Sequence, residues 1–165
     1  MDVSVVMRTH NCSLGTHPYD PCVAVQSILD QKYISNLQIV IFDDGSDDGT
    51  PERVKASFRD QVMLVRGERI GPIHALNAWF MATKHPLITF FDTDDLAHPH
   101  MLLRLAQPFA WEGCGYSFCD YVEVNAEKGE TPFRLHGNPY KGTGIGGFMF
   151  RKSAFEAVRG FDASL

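Results

Sequence analysis

Short apolar runs alternate along this chain with segments in which apolar residues recur at helical spacing. The runs predict strands at 3–7, 37–42, 62–65, 87–91 and 148–150. The recurring apolar positions predict helices at 21–31, from residue 50 onwards, and at 72–83, 99–107 and 153–158. Strands that alternate with helices imply right-handed crossovers and a mostly parallel sheet. We therefore predict an α/β fold whose ligand crevice lies beyond the carboxyl ends of the strands.

Polar residues and prolines mark the predicted starts of several helices. Asp20 and Thr50 each precede a proline, so each is predicted to cap a helix that begins at that proline. Pro99 is predicted as a first helical residue for the same reason. Ser153 and Glu156 have the spacing of a capping box.

The second half of the chain departs from this alternation. Residues 116–124 alternate in character and predict a single strand. Residues 131–135 predict the return strand of an antiparallel hairpin. We therefore expect mixed strands in this half, beside the parallel strands of the first.

Length and composition favour one globular domain with a sizeable core. The chain has 165 residues, 44% of them hydrophobic, and no shift in composition divides it. Its apolar runs are too short to span a membrane and its start lacks a targeting pattern, so we expect a cytoplasmic protein without a transmembrane segment. The net charge of -5, with 15 scattered Lys and Arg, argues against a nucleic acid partner.

Carboxylates cluster directly after two of the predicted strands. Asp92, Asp94 and Asp95 follow one apolar run, and Asp43 and Asp44 follow another. Crowded carboxylates repel one another and hold hard divalent cations, which bridge to phosphate oxygens. A solvated acidic turn explains either cluster alone, because Asp favours turns. Parallel strands place both clusters at one edge of the sheet, which favours a site that binds a metal ion and a diphosphate.

The glycines between residues 142 and 147 allow a close approach of the backbone to a ligand, although a flexible loop explains them equally well. Their spacing and position differ from those of a dinucleotide-binding fingerprint, so they do not predict one.

Taken in order, these features resemble the inverting family-2 glycosyltransferases, which have the GT-A fold and use nucleotide-sugar donors. The stretches that carry the resemblance are 3–11, 26–31, 39–50, 71–77, 90–95 and 151–162. They span nearly the whole chain in the family's order. The resemblance implies a nucleotide-binding half at 1–95 and an acceptor-side half at 96–165, incomplete at its carboxyl end.

The resemblance assigns nucleotide contacts to residues of the first half. Thr9 lies where the family's first strand meets the nucleotide. Asp44, with Asp43 beside it, matches the carboxylate that binds the base, usually uracil. Arg69 falls in the loop that reaches the base or the ribose.

The resemblance also implies a metal site. The stretch from Asp92 to Asp95 resembles the family's DxD motif, with Asp94 near the ribose and the metal. Asp95 or Asp92 completes the contact with Mn²⁺ or Mg²⁺. Gly146 and Gly147 resemble the small residues that line the pocket for the donor sugar and the acceptor.

The chain departs from the family pattern in the first loop and at its end. Arg8 stands where a proline is common and His10 where an aromatic residue is usual, so base recognition is expected to differ in detail. The family's general base usually follows the position of Phe161 and Asp162. We expect that base beyond Leu165, in a longer chain, unless the domain lacks one. Asp120 is a remote candidate for it, with a structural role as the stronger interpretation.

The expected function is therefore metal-dependent transfer of a sugar, with inversion, from a nucleotide-diphosphate sugar to a hydroxyl of a saccharide or another acceptor. A uridine diphosphate sugar is the expected donor. Two alternatives stay open at this point. One is a nucleotide-sugar binding module without turnover, and the other is a different metal-dependent nucleotidyl or phosphoryl enzyme.

Overall fold

The computed structural model of the chain describes residues 1–12, 20–67, 72–125, 129–133 and 147–162. The strands are β1 (Asp2–Thr9), β2 (Asn36–Asp43), β3 (Met63–Arg66), β4 (Leu87–Asp92), β5 (Tyr116–Phe118), β6 (Tyr121–Asn125), β7 (Gly129–Phe133) and β8 (Phe148–Arg151). The helices are α1 (Pro21–Leu29), α2 (Thr50–Phe58), α3 (Pro72–Ala82), α4 (Met101–Ala106) and α5 (Lys152–Ala157). Short 3-10 turns follow α2 and α4, at Arg59–Gln61 and Gln107–Ala110.

Six of these strands form one sheet in the order β3-β2-β1-β4-β8-β5. β1 pairs in parallel with both β2 and β4, and β2 pairs in parallel with β3. β8 lies antiparallel between β4 and β5. The prediction of an α/β domain with a mostly parallel sheet and mixed strands in its second half is therefore confirmed.

Helices cover both faces of this sheet. In β1, Val3, Val5 and Met7 face a core shared with α1, α2 and α4. Val6 faces the opposite side, where α3 and α5 contribute Phe80 and Phe155, with ring centroids 4.1 Å apart. Apolar residues on both sides of one strand are what a sheet buried between two helical layers requires.

The predicted helix starts are partly confirmed. Asp20 caps α1, since its Oδ1 accepts from the amide of Cys22 at 2.9 Å. The Thr50 prediction is wrong, because Thr50 lies within α2 and Gly49, with φ of 84°, precedes it as the cap. The Asp48 side chain accepts from the Thr50 amide instead, at 3.0 Å.

The other two predicted starts are also wrong in detail. α4 begins at Met101, after His100, and not at Pro99. α5 begins at Lys152 with Arg151 as its cap, so Ser153 lies inside the helix and forms no capping box. β8 runs directly into α5, which leaves no separate turn in which Ser153 could cap.

The predicted strand at 116–124 divides into two strands that belong to different sheets. β5 pairs with β8 in the main sheet, and the pairing ends at Phe118 with Phe148. β6 pairs with β7 in a separate two-stranded sheet. The return strand begins at Gly129, earlier than predicted. The alternation of apolar and polar residues indicates which residues share a face of a strand. It does not indicate where the chain leaves one sheet and pairs in another.

None of the helices in the described part of the chain is both long and apolar enough to cross a membrane.

Candidate functional site

The two acidic strand ends meet at one edge of the sheet, on either side of β1. Thr9 at the end of β1 is level with Asp43 at the end of β2. Arg8 is level with Asp92 at the end of β4. Adjacent strands lie about 4.8 Å apart, so the two clusters lie within the span of a small ligand. The predicted convergence of both clusters at the carboxyl edge is confirmed by this register.

Asp44 is a buried carboxylate with one oxygen engaged by Arg8. The Arg8 Nη2 atom donates to Asp44 Oδ2 at 2.8 Å. Asp44 is only 3% exposed, and its Oδ1 has no hydrogen-bond partner among the described residues. Thr9 Oγ1 is a second buried oxygen in the described part without a partner. Buried polar atoms in native proteins are nearly always paired, so both atoms suit contact with a ligand.

Asp43 is fully buried and stabilises the turn that carries Asp44. Both of its carboxylate oxygens accept from the Ser46 amide, at 3.2 Å each. The guanidinium of Arg66, at the end of β3, lies 3.5 Å from Asp43 Oδ2. Its own oxygens are therefore occupied within the protein, and a direct contact of Asp43 with a nucleotide stays a prediction.

Asn11 ties the segment after β1 to the turn after β2. Its amide donates to Ser46 Oγ at 2.9 Å, and its Oδ1 accepts from the Asp47 amide at 3.0 Å. Ser46 Oγ and Asn11 Oδ1 thus satisfy backbone amides that have no strand partner. The sequence analysis did not identify this link, because two turns distant in sequence carry no local signal of their contact.

The second cluster, formed by Asp92, Asp94 and Asp95, is more open to solvent. One carboxylate oxygen from each residue lies within 4.8 Å of the other two. Burial raises the pKa of Asp92, Asp94 raises it further, and Arg8 opposes the increase. Burial, followed by repulsion from Asp92 and Asp94, raises the pKa of Asp95 to about 6. These shifts arise first from burial of the carboxylates and then from their mutual repulsion, and both effects favour a bound cation.

The donor set of this cluster fits a hard divalent cation. Oxygen ligands at about 2.1 Å from Mg²⁺ are at most about 4.2 Å apart across the ion. The observed spread of 4.8 Å needs only small side-chain rotations to reach that geometry. Asp94 and Asp95 are exposed and free to make them.

Thr93 holds the acidic turn against β1. Its buried Oγ1 donates to the backbone carbonyl of Arg8 at 2.9 Å and lies 3.7 Å from the Cys12 sulfur. The Asp95 amide donates to the Asp92 carbonyl at 3.3 Å, which closes the turn. The middle residue of the acidic motif is therefore a structural anchor, a role that the sequence analysis missed.

Two of the predicted site residues, Arg69 and Gly146, lie outside the described residues. Gly147 is described and has φ of 78°. A Cβ at this position would lie 3.1 Å from the Cys119 sulfur, so glycine is needed there for both conformation and space. Its predicted role in lining a sugar pocket is a separate matter and stays a prediction.

Strand register brings Asp120 to the same edge of the sheet. Phe118 is level with Phe148, which is level with Phe90 in β4. Asp120 follows Phe118 by the same interval that separates Asp92 from Phe90. It is exposed and follows β5, which is separated from β4 by β8.

The sheet, its strand order and its acidic edge define the class of the protein as a GT-A glycosyltransferase fold. The family model described as Glycosyl transferase family 2 matches residues 4–161. The chain belongs to this family, as the resemblance in the sequence predicted. An uncharacterised glycosyltransferase of Nostoc sp. (strain PCC 7120) is 33% identical over 112 residues, which cover 66% of this chain and 33% of that protein.

Solved structures of glycosyltransferases have the same fold. A mannosyltransferase of Pyrobaculum calidifontis, in complex with GDP-Man and Mn²⁺, superposes with a TM-score of 0.72 at 21% identity over 97% of this chain. TarS 1-349 of S. aureus, in complex with UDP-GlcNAc, superposes with a TM-score of 0.64 at 18% identity over 96% of this chain. The match covers 47% of each of those chains. At these identities the likeness concerns the fold, and the chain spans about half the length of either structure.

Proposed function

We propose that this chain binds the nucleotide-sugar donor of an inverting, metal-dependent glycosyltransferase, with a uridine diphosphate sugar as the donor. The observation that carries the proposal is the convergence of Asp44 and the Asp92–Asp95 cluster at one sheet edge. The buried carboxylate of Asp44 would accept hydrogen bonds from the base or ribose. The hydroxyl of Thr9 would accept or donate them. The exposed cluster would hold the cation at the diphosphate.

The electrostatics of the edge support a metal in this role. Asp92, Asp94 and Asp95 would repel a diphosphate, because like charges at short range raise the energy of the bound state. Mn²⁺ or Mg²⁺ held by their oxygens would neutralise that repulsion and stabilise the leaving diphosphate. The mannosyltransferase neighbour contains Mn²⁺, which supports a divalent ion here. Asp94 would lie nearest the ribose.

Inversion requires a carboxylate that removes the proton of the acceptor hydroxyl as it attacks the anomeric carbon. Asp120 is a candidate within the described residues, because it shares the carboxyl edge with the metal cluster and is open to solvent. The expectation from the sequence places the base beyond Leu165. An Asp120→Asn variant separates these assignments, since it should leave nucleotide binding unchanged and reduce transfer only if Asp120 is the base.

Two other functions were left open by the sequence. A nucleotide-sugar binding module would bind the same donor without turnover, so measurement of product from a longer chain distinguishes it. A nucleotidyl or phosphoryl enzyme would act on the phosphates and leave the sugar in place. Membership of the family favours the sugar transferase over both. A cytoplasmic location stays a prediction.

Titration calorimetry with uridine diphosphate tests the proposal directly. We expect measurable binding with Mn²⁺ present and at least about tenfold weaker binding after chelation, because the acidic cluster then faces the phosphates uncompensated. An Asp60→Ala variant is the matched control, since this exposed acid precedes β3 at the opposite, amino end of the strands. Equal affinity with and without chelator would rule out the metal role.

A further inference from the structure

Asn77 of α3 forms a pair of hydrogen bonds with the backbone of Phe161, which lies 84 residues further along the chain. Its Nδ2 donates to the Phe161 carbonyl oxygen and its Oδ1 accepts from the Phe161 amide, each at 2.9 Å. A side-chain amide that bonds both the N–H and the C=O of one residue satisfies that residue as a neighbouring strand would. Asn77 therefore connects a helix that precedes β4 to the segment that follows α5.

The turn at the end of α5 is shaped to allow this contact. The Gly160 amide donates to the Phe155 carbonyl at 3.1 Å. The Arg159 amide donates to the Glu156 carbonyl at 3.0 Å, so the two bonds form a Schellman motif. Gly160 has φ of 86°, and a Cβ there would lie 2.5 Å from Asn77 Oδ1. Glycine is therefore needed at this position for its conformation and for the close approach of Asn77.

The segment runs towards the acidic edge of the sheet. α5 begins beside the amino end of β4, where the Lys152 amide donates to the Pro86 carbonyl at 2.8 Å. After α5, the ring of Phe161 packs against that of Phe90 in β4, with centroids 5.8 Å apart. Phe90 precedes Asp92 by two residues. Between residues 152 and 161 the chain has therefore advanced along β4 towards the acidic cluster that follows it.

We propose that Asn77 is a positioning residue, which fixes the backbone at Phe161 so that the chain beyond it is held at the carboxyl edge, beside the acidic cluster. This inference rests on the proposed function, since it takes that cluster as the metal site and the base as lying beyond Leu165. A general base must be held within hydrogen-bond reach of the acceptor hydroxyl, so the path of the backbone that leads to it matters. Asn77 acts through Phe161 and contacts no reacting atom.

Apolar packing is the competing explanation for the position of this segment. The Phe161 ring also packs against Phe155, with centroids 5.0 Å apart. Under this explanation the aromatic rings hold the segment, and Asn77 only satisfies two polar backbone groups. The explanations differ in what they predict when Asn77 is removed, because ring packing alone would leave the backbone of Phe161 where it is.

Paramagnetic broadening of amide NMR signals by added Mn²⁺, with Mg²⁺ as the diamagnetic reference, tests the inference. In the unaltered chain we expect broadening at Thr93, which lies within the acidic cluster, and at Phe161 and Asp162. In Asn77→Ala the broadening at Thr93 should persist, whereas that at Phe161 and Asp162 should be lost. Hydrogen exchange of the Phe161 amide, measured without metal, should become about tenfold faster in this variant.

Further variants separate a positioning role from a general loss of stability. Gly160→Ala displaces the Asn77 amide and should cause the same losses, and the double variant should lose no more than Asn77→Ala alone. Exchange of the Phe80 amide within α3 should stay unchanged in all of them. Asn36→Ala is the matched control, because this exposed asparagine donates to Asp2 at the amino end of the strands. It should change neither exchange nor broadening at Phe161.

The outcomes separate this inference from the function on which it rests. Rapid exchange of the Phe161 amide in the unaltered chain would overturn the inference without the need for any variant to fold. Broadening at Thr93 without broadening at Phe161 would show that the segment leads away from the metal, and would also overturn it. Unchanged exchange and broadening in Asn77→Ala would assign the segment to apolar packing. Absence of broadening at Thr93 would instead overturn the metal role in the proposed function, and exchange at Phe161 would still decide whether Asn77 fixes the backbone.

Discussion

The turns after β2 and β4 begin with the same kind of sequence and have opposite environments. Each follows an apolar strand with a series of aspartates. In the β2 turn, Asp43 and Asp44 are buried, and each carboxylate has an arginine beside it. In the β4 turn, Asp94 and Asp95 are exposed. The aspartates of the β4 turn face one another, whereas those of the β2 turn face cations.

The difference arises from the neighbouring strands. Arg8 and Arg66 come from β1 and β3, which flank β2 on both sides. β4 has β1 on one side and β8 on the other, and β8 runs the opposite way. The end of β8 that lies beside Asp92 is its amino end, near Gly147, which carries no charge. Strand order therefore places cations beside the carboxylates of the β2 turn and leaves those of the β4 turn close to one another.

The largest expected effect is on stability, at Asp43. Replacing Asp43 by Ala should lower the free energy of unfolding by about 3 kcal/mol, because a buried carboxylate that organises the turn and pairs with Arg66 is lost. Chemical denaturation followed by circular dichroism measures this. Asp47→Ala, an exposed aspartate of the same turn, is the control and should change stability by less than about 0.5 kcal/mol. Similar values for both variants would show that the contacts of Asp43 do not stabilise the β2 turn.

A substitution of Asp44 should affect nucleotide binding more than metal binding. We expect Asp44→Asn to weaken nucleotide binding by about ten- to a hundredfold, because the buried acceptor beside Arg8 loses its charge. Binding of Mn²⁺ alone should be unchanged. Calorimetry of both ligands checks this, and a parallel loss of Mn²⁺ affinity would mean that Asp44 contributes to the metal site itself.

The reverse pattern is expected for Asp95. Asp95→Ala should weaken the binding of Mn²⁺ alone by about tenfold, since one of three charged oxygen donors is removed. The fold should be retained, because the side chain lies on the exposed rim of the sheet edge. Electron paramagnetic resonance of free Mn²⁺ gives the affinity. A collapsed circular dichroism spectrum would instead assign the β4 turn a structural role like that of the β2 turn.

The smallest expected effect is the pH dependence of the metal-free protein. The pKa of Asp95 is raised from 3.8 to about 6, so as the pH falls the carboxylate is protonated in the native state before it is protonated in the unfolded state. The charged form destabilises the native state, and this destabilisation is relieved progressively as the pH falls from about 6 towards 3.8. Asp95→Asn should therefore raise the melting temperature at pH 7.5 by no more than about 2–4 °C, since solvent screens an exposed carboxylate.

At pH 5 this difference between the variant and the unaltered chain should fall to about half, and it should nearly vanish only below the unfolded-state pKa of 3.8. With saturating Mn²⁺ at pH 7.5 the sign of this difference should reverse, because the ion stabilises the unaltered chain more than the variant, which lacks the Asp95 carboxylate. Thermal melts with chelator and with Mn²⁺ check both statements. A difference that does not change with pH would mean that the pKa of Asp95 is not raised in the native state.

Several features of the fold were predictable because they depend on local pattern. The parallel strands and the helices of the first half follow from apolar periodicity, which burial on both faces of a sheet enforces. The boundaries at Thr50, Pro99 and Ser153 were wrong because cap preferences are weak beside tertiary contacts. The division of residues 116–124 between two sheets was missed because both strands alternate in the same way.

For the site, the sequence by itself determined which carboxylates are present and that both clusters lie at the carboxyl edge, since parallel strands all end on one side. Tertiary structure decided what each carboxylate does. Arg8 and Asp44 are 36 residues apart, and the Thr93 hydroxyl meets the Arg8 carbonyl across 85 residues. Such pairs carry no local signal, because they form only when strand order brings β1 between β2 and β4. The burial, the pairing and the pKa of the carboxylates at this edge are therefore properties of the assembled sheet. The sequence determines only which residues are present and which strand each one follows.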